Sequence, residues 1–167
     1  QALMQLAGER AQLPLNGIVL AVSIQSLLGP ADALKVTATR LLRLVDETME
    51  HLQVQVPVYI VVTGLERLRG YSQLRATLPA EAFSQALGHV LEPNGANASA
   101  LPGLLNPLLD RLHALSLTAL RSQSTPAQRR GIFEFFDAIR RASSGLNLLV
   151  TLLLEDNTFQ RTPVWRG

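Results

Sequence analysis

"VPVYIVVTGLERLRGY", residues 56–71, decides the fold class of this chain. From Val56 to Val62 the run is apolar and mostly β-branched, broken only by Pro57. A short continuous run of that composition predicts a strand covered on both faces, as in a parallel sheet. It stops abruptly at Thr63-Gly64 and gives way to the charged Glu66, Arg67 and Arg69. Such a strand end delivers either a ligand site or only a turn.

A second run of the same kind, "GIVLAVSI", occupies residues 17–24. Between the two runs, Leu34, Ala38, Leu41, Val45, Met49 and Leu52 recur at helical spacing. Pro30 suits a first helical turn, where its missing N–H costs nothing. Arg43 and Glu47 form an i,i+4 pair on the wet side that is at most weakly stabilising. Strand, amphipathic helix and strand make a βαβ unit with parallel strands and a right-handed crossover. Val61 is expected at the centre of its strand and fully buried. Two strands alone leave apolar faces and backbone groups unpaired. The strand beginning near Gly17 is therefore expected to be covered by an upstream half of the core or by another chain.

With 167 residues, 47% of them hydrophobic, the chain has the size of one domain, or of one and a small appendage. The formal net charge is only +2, and Lys35 is the sole lysine. Arginines are scattered, with no basic run interleaved with aromatics, so nucleic acid is not an expected partner. The absence of cysteine excludes disulfides, thiolate metal sites and a cysteine nucleophile. His51, His89 and His113 lack metal-ligand spacing, so no metal site is expected. No segment approaches the roughly 20 apolar residues of a membrane span. The richest, "LNLLVTLLL" at 146–154, suits a buried helix. The chain opens at Gln1 and is read as part of a longer protein. No G-x-S-x-G, H-E-x-x-H or G-x-x-x-x-G-K-[ST] occurs, so no catalytic residue is assigned.

Beyond the second strand, "LERLRGYSQLRATL" and "AEAFSQALGHVL" predict two short helices broken at Pro79. Residues 93–100, "PNGANASA", read as a flexible loop and the best internal boundary. It separates an α/β unit, 1–92, from a helical extension, 101–167. In the extension, "LLNPLLDRLHALSLTALR" predicts a long helix. "TPAQRRGIFEFFDAIRRA" predicts a second, opened by a capping box from Thr125 to Gln128. "GLNLLVTLLLED" predicts a third. Helical spacing sends Phe133, Phe135 and Phe136 to the core.

The candidate site is the end of the second strand, because ligands of open α/β sheets gather outside the carboxyl ends of strands. "VVTGLE" has the length and placement of the motif by which Ras-like GTPases read their base. That motif needs a lysine whose stem lies against the base and an aspartate that accepts two N–H bonds from guanine. Gly64 and Glu66 stand there instead. Glycine has no stem, and the extra methylene of glutamate displaces the carboxylate by about one C–C bond. A site without the polar partners of its ligand loses discrimination by factors of about 10⁴. Thr63, Gly64 and Glu66 are thus the candidate cofactor-binding residues, and a turn is the favoured reading.

The order of features resembles the IcmF/TssM family of bacterial type VI secretion. Pro14, Asn16 and Gly17 match the family's "P-x-N-G-strand". Pro57, Val58, Tyr59, Thr63 and Gly70-Tyr71 match its "P-V-Y-strand-T-K-x-D-x-x-x-G-F", with tyrosine for phenylalanine. The helix with Arg40 and Leu44, Gln85 and Gly88, the arginine-led "RRGIFEFFDAIRRA" and the closing "TPVWRG" follow in the family's order. The resemblance implies residues 1–92 as the C-terminal half of a Ras-like, P-loop NTPase-like core with parallel strands, then a mostly helical subdomain. The phosphate loop would lie upstream of Gln1. It implies the cytoplasmic side of a parent protein anchored in the bacterial inner membrane. Implied partners are other secretion-complex proteins, TssL, TssJ and baseplate proteins such as TssK. The family's T-K-x-D stands here as Thr63-Gly64-Leu65-Glu66. An architectural role without nucleotide is therefore the first expectation. A GTP or ATP switch with magnesium is the alternative.

Overall fold

The computed structural model describes residues 5, 8, 15–53, 55–81, 88, 90, 101–123, 125–154 and 164–167. The first predicted strand is β1, Ile18–Ser23, and the second is β2, Pro57–Thr63. They pair in parallel, Ile18 opposite Val58 through Ser23 opposite Thr63. After β1 the chain makes one helical turn, α1 (Ile24–Leu27), and then the crossover helix α2 (Ala31–Leu52). Leu34, Ala38, Val45, Met49 and Leu52 are buried along α2, as their spacing requires. Arg43 and Glu47 meet on its wet side at 2.7 Å.

Past β2 the expected helix from Leu65 is divided. Leu65–Arg67 form one 3-10 turn, and α3 runs only over Tyr71–Thr77. The break falls at Gly70, which has φ 84° and leaves no room for a Cβ beside the Gly131 carbonyl. The predicted helix at 80–91 and the loop at 93–100 lie largely or wholly outside the described residues.

The long helix α4 spans Leu101–Ser122. The two helices expected after it are one, α5, Pro126–Leu154. Its N-terminus carries the predicted capping box: the Gln128 N–H donates to Thr125 Oγ1 at 3.3 Å, and the Thr125 N–H donates to Gln128 Oε1 at 3.3 Å. Ser143-Ser144-Gly145, where the sequence suggests a break, stays helical. Its glycine faces the main chain of Leu27, so packing overrides a helix penalty of about 1 kcal/mol. Helix α5 touches α1, α2, α3 and α4. Leu34, Met49, Ile132, Leu149 and Val58 are among the most deeply buried side chains of a core shared by β1, β2, α2 and α5.

A third strand, β3 (Val164–Trp165), was not foreseen. It pairs in parallel with Pro57–Val58 and buries Trp165. The sheet order is β1-β2-β3. Strands added in one direction by right-handed crossovers gather their helices on one face. The expectation that both strand faces are covered is therefore corrected for the described residues. Leu20, Val22 and Val58 face the helices, whereas Val19 and Val61 on the opposite face are 62% and 44% exposed. Val61 is central in its strand but not buried.

Candidate functional site

The parallel pairing brings the carboxyl ends of β1 and β2 side by side, with Ser23 opposite Thr63. Each strand ends in a hydroxyl residue whose oxygen serves the backbone. Ser23 Oγ accepts from the Gln25 N–H at 3.2 Å and so caps α1. Thr63 Oγ1 donates to the Val22 carbonyl at 3.4 Å, tying β2 to its neighbour.

Gly64 follows with φ 83° and ψ 18°, the left-handed region that side-chain-bearing residues avoid. A Cβ there would meet nothing closer than 3.7 Å. Glycine is thus required by backbone conformation rather than by crowding. The reversed backbone lets the Arg67 N–H reach the Gly64 carbonyl at 3.0 Å and close the 3-10 turn. Leu68, at the end of this turn, is buried and anchors it to the core. Glu66 is exposed, and its carboxylate lies 3.9 Å from Arg67 Nε. Arg67 and Arg69 are exposed as well. A second left-handed glycine, Gly70, starts α3, whose Tyr71 ring lies 6.1 Å from that of Phe135 on α5.

All three candidate residues therefore sit on one turn. Thr63 is spent on the sheet, Gly64 on the reversal, and Glu66 projects into solvent beside Arg67. Among the described residues, no group of three His, Asp or Glu is placed to hold a metal ion, and no helix is long and apolar enough to cross a membrane. Ser23 is the strand-end neighbour that sequence reasoning missed, because only the register sets it opposite Thr63. Phe133 is corrected too: it points away from the core and is 63% exposed, while Phe135 is buried. Their two-residue separation on a helix turns them through about 200°, on opposite sides.

The sequence model of the IcmF-related N-terminal domain matches residues 1–167. The type VI secretion system component TssM1 of Pseudomonas aeruginosa is 23% identical over 165 residues, 95% of this chain. Those residues are 15% of that protein, so the chain spans a small part of its relative's length. No solved structure matches.

Proposed function

The chain belongs to the IcmF-related N-terminal domain family, and on that premise we propose that it is a structural element of a type VI secretion membrane complex. In this reading it is the cytoplasmic part of an inner-membrane protein, where it docks other inner-membrane and baseplate subunits. Its α/β layer descends from a P-loop NTPase-like core whose base-reading turn has become architectural. The observation that carries the loss of nucleotide is the turn at Gly64. The position that needs a lysine stem is held in a left-handed conformation by the hydrogen bond closing the next turn. The position that needs a short carboxylate holds Glu66, exposed and beside Arg67.

One observation favours the alternative, a GTP or ATP switch with magnesium. The candidate turn lies at the carboxyl ends of parallel strands, where α/β proteins place ligands. Calorimetry of the full-length protein with GTP and with ATP, each with magnesium, separates the two. The architectural reading expects no heat of binding. Affinity near micromolar, about −8 kcal/mol, that weakens on Glu66→Ala would establish the switch instead.

A further inference from the structure

Helix α5 turns one face away from the core, and that face is unusual for a solvated surface. Its centre is Phe133, 63% exposed. Arg129 and Arg130 lie one turn before it, and Arg140 and Arg141 lie two turns after it. All four are exposed. Among the described residues of α5 itself, two carboxylates share this surface. Glu134 pairs with Arg130 at 2.9 Å, and Asp137 pairs with Arg140 at 2.9 Å and with Arg141 at 3.1 Å. Four guanidiniums against two carboxylates leave a local excess as large as the net charge of the whole chain, +2. The hydrogen bond from Arg140 holds the Asp137 carboxyl below its ordinary range, with burial opposing, as expected of a cationic surface.

We propose that this face of α5 binds an acidic amphipathic helix of a protein partner, which seats an apolar side chain on Phe133 and sets carboxylates against the arginines on either side. Aromatic and arginine side chains are the residues that most often dominate binding energy at protein interfaces. The intrahelical pairs that hold Arg130, Arg140 and Arg141 lie between carboxylates and largely exposed guanidiniums and are weak, so a partner's carboxylates can replace them. Two carboxylates on the face itself, and a single aromatic anchor, fit a protein helix better than an anionic bilayer. A bilayer favours a face bearing cations with several apolar residues.

The test uses the full-length protein and fluorescence anisotropy with two synthetic helical peptides. One carries glutamates one turn on each side of a central leucine pair, and the other has glutamine at those positions. The glutamate peptide is expected to bind at least about tenfold more tightly, with the preference falling as salt is raised. Phe133→Ala and, separately, Arg140→Glu with Arg141→Glu should each weaken it about tenfold. Both substitutions alter exposed side chains, and unchanged melting confirms that the fold is kept. Equal or absent binding of the two peptides overturns the proposal. So does Phe133→Ala with unaltered affinity. Sedimentation with phosphatidylcholine vesicles, with and without phosphatidylglycerol, gives the remaining arm. Phe133-dependent capture by the anionic vesicles, without glutamate-peptide binding, replaces the protein partner with a membrane surface.

Discussion

Gly145→Ala sets two effects of opposite sign against each other. Alanine is favoured over glycine in a helix interior by about 1 kcal/mol. In an exposed helix the substitution would therefore stabilise the protein. Gly145 instead faces Leu27, the last residue of α1, just beyond the carboxyl end of β1. A Cβ at 145 would overlap the Leu27 carbonyl oxygen and lie 2.9 Å from its carbon and 3.1 Å from its Cα. These are main-chain atoms, so no rotamer change relieves the contact, and α5 or the α1 turn must move. Overpacking of this kind costs about 1–3 kcal/mol, and a rigid neighbour places it at the upper end. The net expectation is a loss of about 2 kcal/mol. For a domain of this size that lowers Tm by about 4–8 °C. Thermal unfolding followed by circular dichroism measures it, with Ser144→Ala, at the exposed neighbouring position, as the control. The control should be neutral or slightly stabilising. If Gly145→Ala raises Tm as the control does, the close approach of α5 to the strand end is wrong.

Three further outcomes are expected. Val58 is 0% exposed and Val61 is 44% exposed in the same strand; Val58→Asp should therefore cost several kcal/mol and abolish cooperative melting, whereas Val61→Asp should leave a folded protein with a lowered Tm. Gly64→Ala, and equally Gly64→Lys, should cost about 1 kcal/mol in chemical denaturation from the left-handed backbone alone, because the nearest atoms leave room for a Cβ. Asp46 has a raised pKa, first from burial and then from Glu50, and its Oδ2 is buried without a hydrogen-bond partner. A raised folded-state pKa means stability present at low pH and lost as pH rises through that pKa, so Asp46→Asn should raise Tm at neutral pH. At this partly exposed site the gain should stay under about 1 kcal/mol, and it should vanish below the ordinary pKa of 3.8; a gain that persists there would exclude charge as its cause.

The sequence by itself determined the βαβ unit. Two β-branched apolar runs and a six-position helical stripe admit one local arrangement, and strand pairing and α2 follow them closely. It also marked the strand end: Thr63, Gly64 and Glu66 fall on one turn because the run stops at a glycine. The capping box of α5 was legible for the same reason, since both partners lie within four residues. What depended on contacts distant in sequence was not legible. Ser143-Ser144-Gly145 reads as a break until Leu27, more than a hundred residues earlier, is set against it. Trp165 reads as a tail until Val58 gives it a strand partner. Phe133 and Phe135 stand on opposite sides of one helix by their spacing, and only the direction in which α5 packs decides that Phe135 is the buried one. Val61 is as apolar as Val58, and only the tertiary structure separates them. Strands laid down in one order, with right-handed crossovers, stack their helices on a single face of the sheet. The alternation of side chains along β2 then decides which valine that layer covers.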